Sequence, residues 1–241
     1  MASSRFPGKP LKKILGIPML AHCYERALLS KACDKLVIAT PDEEIINWAL
    51  NYNIPAILTG HHHQRATERA KETLDTLRKQ GEQYDFILLL QGDEPQIFPD
   101  DIKNLRAAFC GSELEVINLV YPIDGDDLDN PNVVKAIMTN ASKVSFFTRA
   151  HVPQSSHQAM RQLGMIGFTI AALTQYTSLQ PTPLEELESI DMMRLLENDY
   201  EINAVISSSP ILGVDNPDDI VKAELMMAKD LLLETYQDKY L

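Results

Sequence analysis

Positive charge is what this chain is short of. Its 241 residues carry 22 Lys and Arg against 34 Asp and Glu, a formal net charge of −12 at pH 7. A chain so acidic has no surplus of cations to neutralise a phosphate backbone, which excludes a general nucleic-acid binder. Small anionic substrates stay open, because a few local cations or a metal can invert the field at one site. Cysteine is scarce too: Cys23, Cys33 and Cys110 show no metal-ligand spacing, and an odd number leaves one unpaired. That usage fits a reducing compartment, so a cytoplasmic location is the expectation. No apolar run approaches membrane-spanning length and no signal-peptide pattern stands at Met1, so no membrane partner is expected. Internal repeats and low-complexity segments are absent. What is present, 45% hydrophobic and 23% charged residues, is ordinary globular composition. The length suffices for one large α/β domain with a sizeable core.

The chain is organised around residues 86–95, Phe-Ile-Leu-Leu-Leu-Gln-Gly-Asp-Glu-Pro. The uninterrupted apolar run Phe86–Leu90 reads as a strand buried on both faces, as in a parallel or mixed sheet. It stops abruptly. Gln91 offers an amide, Gly92 lets a ligand approach the backbone, Asp93 and Glu94 add carboxylates, and Pro95 ends the strand. Ligands of open α/β sheets sit beyond the carboxyl ends of strands, so Asp93 is placed to hold a hard cation against a phosphate. A turn that uses Gly-Asp for its geometry is the alternative.

Upstream, Ala-Ser-Ser-Arg-Phe-Pro-Gly-Lys-Pro-Leu (2–11) is a small-residue loop. Ser3, Arg5 and Lys9 make it either a polyphosphate cradle or a loose basic terminus. It lacks the Walker spacing. A helix follows over Met19–Leu29 with Leu20, Tyr24, Ala27 and Leu28 as its apolar stripe. Lys35–Thr40 and Ala56–Thr59 read as strands. Between them Thr40-Pro-Asp-Glu-Glu44 starts a helix that turns Ile45, Ile46, Ala49 and Leu50 to the core. His61–His63 invites a metal reading, but sequence neighbours rarely face one ion in a regular element, so a solvated loop is expected. A helix to about Gln80 carries Arg65 and Arg69 for a ligand or for pairing with Glu68 and Glu72.

Strand–helix alternation predicts a doubly wound α/β sheet. After a helix over Pro99–Phe109 and a strand over Glu115–Tyr121, the pattern changes. Asp124–Asn132 is an acidic, turn-rich loop without the full EF-hand pattern. Val133–Met138 and Lys143–Thr148 form a hairpin, 149–162 a mobile loop, and Leu163–Ala172 a returning strand. This section predicts an antiparallel insertion. A capped helix over Pro181–Asn198, a strand over Glu201–Ser207 and a final helix to about Tyr236 complete the chain. Before that helix, Gly213-Val-Asp215-Asn-Pro-Asp-Asp219 repeats the theme of an aspartate at a strand end.

Three separated pieces, ASSRFPGKPL (2–11), QGDEP (91–95) and GVDNPDDI (213–220), together resemble the sugar-acid cytidylyltransferases. The closest resemblance is to the 3-deoxy-manno-octulosonate (Kdo) cytidylyltransferase family. It runs from Met1 to about Met227 and includes Asn130-Pro-Asn-Val-Val-Lys135, Thr148-Arg-Ala-His-Val-Pro153 and Pro183-Leu-Glu185. It implies a three-layer α/β/α nucleotidyltransferase, a single domain over 1–241 in which a sheet-rich insertion at about 118–180 forms a homodimer. It implies CTP and a sugar acid as substrates. By motif, Ser3, Arg5 and Lys9 would hold the CTP phosphates, with Gln91 at the sugar–nucleotide junction and Arg69 on the nucleotide. Asp93 and Asp215 would be paired Mg2+ ligands.

The departures fall on the sugar side. The family's His-Leu-Gly-Ile-Tyr-Gly is Gln162-Leu-Gly-Met-Ile-Gly167 here, its Leu-Glu-Gln-Leu-Arg is Ile190-Asp-Met-Met-Arg194, and its Ser-Gly-Thr-Glu/Asp-Arg is Arg65-Ala-Thr-Glu-Arg69. These changes leave the acceptor open among Kdo, a modified octulosonate and a nine-carbon sialic-type acid, and predict poor use of Kdo itself. The resemblance also places an apolar strand ending in Ile-Pro-Ala-Arg before the phosphate loop. Met1 falls inside that loop, so the first strand is expected upstream of it.

Overall fold

The computed structural model describes Phe6 and residues 8–123, 125–152 and 159–241. A 3-10 turn at Lys9–Leu11 leads into the antiparallel pair β1 (Lys13–Ile14) and β2 (Ile17–Pro18) and helix α1 (Met19–Leu29). Strands β3 (Ile38–Thr40) and β4 (Ala56–Leu58) pair in parallel around α2 (Glu43–Asn51). Next come α3 (Ala66–Lys79), β5 (Phe86–Leu90), α4 (Pro99–Phe109) and β6 (Val116–Pro122). β7 (Lys135–Met138), β8 (Lys143–Thr148), β9 (Ala159–Thr169) and α5 (Ile170–Ser178) follow. The chain closes with α6 (Pro183–Glu188), α7 (Met193–Leu196), β10 (Ile202–Ile206) and α8 (Pro217–Met227). Among the described residues no helix is long and apolar enough to cross a membrane. The chain sorts into two compact units. The first gathers the described residues of Met1–His61, Leu90–Lys103 and Pro210–Leu241, the second those of His62–Leu89 and Asn104–Ser209.

In the first unit, Thr40 Oγ1 accepts the Asp42 N–H at 3.1 Å and turns the chain from β3 into α2, whose first turn carries Glu43 and Glu44. Ile45 and Ala49 then pack with Tyr24, Ile38 and Ile54. Leu28 and Leu50, expected in the core, are exposed instead. The last helix stops at Met227, short of Tyr236, and a 3-10 turn over Leu233–Thr235 carries Tyr236 into the unit. There its hydroxyl meets His22 Nδ1 at 2.8 Å and accepts from Arg26 Nε at 3.3 Å, while the buried Arg26 guanidinium pairs with Asp230. Burial, reinforced by the Arg26 charge, pushes the His22 imidazole down to about 4, so it is neutral at pH 7. Cys23 is buried beside them. Burial and the nearby Asp93 and Glu94 charges drive its thiol well above the ordinary range.

The second unit is built on a six-stranded sheet in the order β5-β9-β6-β10-β8-β7, with a further β7–β9 pairing. β6 and β10 are parallel, whereas β6–β9, β8–β10, β7–β8 and β7–β9 are antiparallel, as an antiparallel insertion requires. Val120, Phe147, Ile166, Phe168, Leu173 and Tyr176 belong to its core. Four expectations need correction. β5 ends the sheet order, so only Leu89 is buried and its neighbours are half-covered, not buried on both faces. β9 begins at Ala159, inside the stretch expected to be a mobile loop, because residues 160–162 pair with β6; residues 153–158 lie outside the described residues. β9 ends at Thr169, whose Oγ1 accepts the Ala172 N–H at 3.2 Å and starts α5 where strand was expected. The helix expected over Pro181–Asn198 is broken at Ser189, which adopts φ 54°.

Gly167 on β9 shows why a side chain is excluded there. A Cβ would lie 2.3 Å from Phe109 Cε2 and 3.0 Å from Leu88 Cδ2, so its absence lets the stacked Phe86–Phe109 pair reach the sheet. Asn118, fully buried where the β6–β9 register shifts, donates to the Leu163 and Met165 carbonyls at 3.1 and 3.2 Å. It accepts from Gln162 Nε2 at 2.6 Å.

Candidate active site

The first unit brings together three of the residues picked out from sequence. Lys9 Nζ lies 2.8 Å from Asp93 Oδ2 and 3.6 Å from Asp215 Oδ1. Local chemistry aims each group. Phe6 packs with Ile14, Met19, Val214 and Ala223 and so anchors the loop that delivers Lys9. Gly8, at φ 71°, adopts the left-handed conformation that glycine reaches at no steric cost and opens the turn carrying Lys9. Asp93 follows β5 in a segment where a Cβ on Gly92 would stand 3.0 Å from Leu20 Cδ1. The Asp93 carbonyl accepts the Val214 N–H at 2.9 Å, fastening its loop to the segment that carries Asp215.

Asp215 is held by a helix cap. Asn216 Oδ1 accepts the Asp218 and Asp219 N–H groups at 3.1 and 3.3 Å. Asp219 Oδ2 accepts in return from the N–H groups of Asp215 and Asn216 at 3.1 and 3.2 Å. This reciprocal capping fixes the backbone at the start of α8. Asp93 and Asp215 have side chains 28% and 38% exposed, against 13% for Lys9, so the carboxylates face solvent while the ammonium is covered. The two carboxylates offer oxygen donors only, on a surface open to water and phosphate. That is the chemistry of a hard divalent cation such as magnesium.

Gln91 lies half-buried in the same segment as Asp93. Arg69 sits on α3, in the second unit, also half-buried. Ser3 and Arg5 lie outside the described residues.

Within the second unit the sugar-side motifs join into a charged network. Arg194 donates to Glu185 at 2.7 and 2.8 Å and to Glu68 at 3.3 Å, and Arg65 Nε donates to Glu185 at 3.1 Å. The Arg194 guanidinium also stacks 4.4 Å over the Tyr176 ring. Burial by itself would raise the Glu185 carboxyl; the arginines overcome it and hold the group below the usual carboxylate range. Arg65 therefore pairs across the unit with Glu185, while Glu68 serves Arg194 and Glu72 serves His63. Thr67 Oγ1 donates to Asp191 at 2.7 Å. Ile166 and Met192, at positions where the family carries Tyr and Gln, are buried in the core and present no polar group.

The Asn130–Lys135 and Thr148–Pro153 motifs also meet. The buried Lys135 ammonium donates to the carbonyls of Asn130 at 2.7 Å and Arg149 at 3.0 Å, and burial, then the Arg149 charge, lowers its pKa. Glu188 accepts from Thr148 Oγ1 and the Arg149 N–H. Of the acidic loop, Asp127 pairs with Arg161 and Asp129 with His151. The Glu185–Arg194 and Lys135–Arg149 contacts were not legible from sequence, and neither were the Phe6 anchor or the role of Asp219; only the motifs containing them stood out.

Asp93 follows β5 closely, but Asp215 stands at the start of α8 and not at a strand end as expected, because β10 stops at Ile206. A mixed α/β fold in which a lysine meets these two aspartates is the equipment of a nucleotidyltransferase, and the comparisons agree. A solved structure described as CMP:2-keto-3-deoxy-manno-octonic acid synthetase complexed with CTP superposes with a TM-score of 0.85 at 28% identity, over 95% of each chain. A putative glucose-1-phosphate thymidylyltransferase from Bacillus anthracis shares the fold, with a TM-score of 0.69 at 15% identity over 95% of this chain and 92% of its own. The family model described as cytidylyltransferase matches residues 1–202. The chain is 35% identical over 237 residues to the 3-deoxy-manno-octulosonate cytidylyltransferase, mitochondrial, of Arabidopsis thaliana, covering 94% of this chain and 80% of that one. It is 32% identical to the enzyme of Parabacteroides distasonis that bears the name 3-deoxy-manno-octulosonate cytidylyltransferase, over 94% of each. This chain belongs to the cytidylyltransferase family.

Proposed function

We propose that the protein transfers CMP from CTP to the anomeric hydroxyl of a 3-deoxy ulosonic acid, Kdo or a close relative of it, and releases pyrophosphate. The observation that carries this reading is the meeting of Lys9, Asp93 and Asp215, three residues distant in sequence, at 2.8 and 3.6 Å. The sugar hydroxyl attacks the α-phosphorus as the bond to the pyrophosphate oxygen breaks, and the hydroxyl proton leaves. Such transfer depends on positioning and on neutralising charge, with little covalent work for the protein. Lys9 has the charge and reach to exchange its carboxylate partners for phosphate oxygens, with Arg5 and Ser3 of the same motif assigned to the phosphates as well. Gln91 is assigned to the junction of sugar and nucleotide, and Arg69 to nucleotide binding. Asp93 and Asp215 are assigned as ligands of Mg2+, which when bound would neutralise the phosphate charge that builds up during transfer.

The relatives' names support the acceptor class, and the resemblance supports a homodimer through 118–180, which light scattering tests. A cytoplasmic location rests on the free cysteines, two of them exposed, and fluorescence imaging of the tagged protein tests it. The central experiment is pyrophosphate release with CTP, Mg2+ and a panel of sugar acids. Release is expected only when CTP and a 3-deoxy ulosonic acid are both present. A folded protein that releases none with any acceptor would be a silent nucleotide-binding relative, and the proposal would fall.

A further inference from the structure

The run His61–His63 lies in a loop, yet two of its side chains converge with a third from α3. The His62 and His63 rings stand with centroids 4.1 Å apart, and His63 Nε2 contacts Glu72 Oε2. One ligand atom from each of His62, His63 and Glu72 lies within 4.8 Å of the others, the only such group found among the described residues. The loop is tied to the helix that supplies the carboxylate. Glu68, one turn before Glu72, accepts the N–H groups of Gln64 and Arg65 at 3.2 and 3.4 Å. Its Oε2 also stands 4.0 Å from His63 Nδ1. His62, His63, Gln64, Arg65, Glu68 and Glu72 all belong to the second unit.

We propose that His62, His63 and Glu72 bind a borderline divalent transition metal of the zinc, cobalt or nickel type. Two imidazole nitrogens and one carboxylate oxygen are the donors such ions select, whereas magnesium prefers oxygen alone. Three protein ligands leave a fourth position for water. Metal–ligand bonds of about 2.0–2.2 Å put tetrahedral donors roughly 3.3–3.5 Å apart. Closing donors that lie within 4.8 Å of one another therefore takes at most about 1.5 Å of side-chain movement, and the His63–Glu72 contact opens to admit the ion. The exposed His62 is free to make that adjustment. Glu68 Oε2, 4.0 Å from the other ring nitrogen of His63, adds negative charge beside the site and leaves Nε2 for the metal. The donor chemistry is thus unlike that of Asp93 and Asp215, and the proposal stands whatever substrate the enzyme uses.

The test uses the full chain, stripped of metal by chelator and dialysed, without CTP or Mg2+. Zinc and cobalt are titrated separately by calorimetry, and the cobalt absorption spectrum is recorded. Wild type is expected to bind one ion per chain with micromolar affinity or tighter and to give the visible bands of a four- or five-coordinate cobalt site. His62→Gln and Glu72→Gln are each expected to weaken binding at least about 10–100-fold, the loss that even supporting groups of metal sites produce. His62→Gln should melt like wild type without metal, because His62 is exposed, so its loss of binding is read on an intact fold. Absence of stoichiometric binding, or binding unchanged in both variants as capture by the exposed Cys33 and Cys110 thiols would be, overturns the proposal.

Discussion

Replacing Asp215 by Asn isolates the charge of one carboxylate at nearly constant volume. The backbone of residue 215 is fixed by Asp219 Oδ2 and the Asn216 cap, neither of which uses the Asp215 side chain. The side chain's recorded partner is Lys9, at 3.6 Å and with the carboxylate 38% exposed. Losing so exposed a pair changes stability by no more than about 1 kcal/mol. Lys9 also retains Asp93 at 2.8 Å. Catalysis should respond on another scale, because removing one group that stabilises transition-state charge costs about 2.7–4 kcal/mol, or roughly 10²–10³ in turnover. The assay is continuous pyrophosphate release under saturating CTP and acceptor, repeated across a Mg2+ titration, with urea unfolding measured on the same samples. A large loss of turnover with a raised Mg2+ requirement and near-normal unfolding is expected. Asn216→Ala is the control, since losing a helix cap costs about 1 kcal/mol of stability and leaves the carboxylate charge in place. If Asp215→Asn keeps more than about a tenth of wild-type turnover, against the 10²–10³ loss reasoned above, the assignment of Asp215 to the phosphoryl-transfer site is wrong.

Four further outcomes follow from contacts described above. In an acceptor panel, Kdo should be used about tenfold less well than some other 3-deoxy sugar acid, because Ile166 and Met192 replace the polar Tyr and Gln that the family carries at these positions; Kdo as the best acceptor would refute this. His22, held near 4 in the folded chain against 6.5 in the unfolded one, binds fewer protons when folded. Stability should be lost as pH falls from 6.5 towards 4, by on the order of 3 kcal/mol, and denaturant titrations of wild type and His22→Gln would reveal a slope that only wild type shows. Glu185→Gln leaves the buried Arg194 without its bidentate carboxylate and should cost about 3–5 kcal/mol in unfolding free energy, so a melting curve matching wild type would contradict the network. Gly167→Ala drives a methyl to 2.3 Å from Phe109 and should cost about 1–3 kcal/mol, part of it recovered by adding Phe109→Leu.

Features with a local cause were legible in the sequence. The apolar run before Gln91-Gly-Asp and the proline and acids of Asn216-Pro-Asp-Asp are local signals, so the existence of β5 and the start of α8 could be read directly, although the strand expected just before Asp215 is absent. Helix α1 announces itself by periodicity, and α2 and α3 by periodicity and first-turn acids. Long-range pairing is what escaped. Residues 160–162 look like loop until β6 supplies the partner, and residues 170–172 read as strand until Thr169 caps a helix there. Ser189 gives no sign of its left-handed backbone; Arg65, donating to its hydroxyl at 3.2 Å, comes from far away in the chain. In the site, the three motifs were visible, but the Lys9 bridge and the clasp of Val214 on Asp93 exist only once the first unit has folded.

The three thiols make the protein its own reporter. Cys33 and Cys110 are exposed, whereas Cys23 is buried with its thiol held protonated, and only thiolates react readily with disulfide reagents. Mixed with such a reagent, the native chain should therefore colour in two stages, a prompt uptake at Cys33 and Cys110 and a delayed one at Cys23. Cys23 lies in the unit that carries Lys9, Asp93 and Asp215. The late stage consequently clocks the transient openings of that unit, and its slowing in the presence of CTP would measure nucleotide binding without any label being introduced.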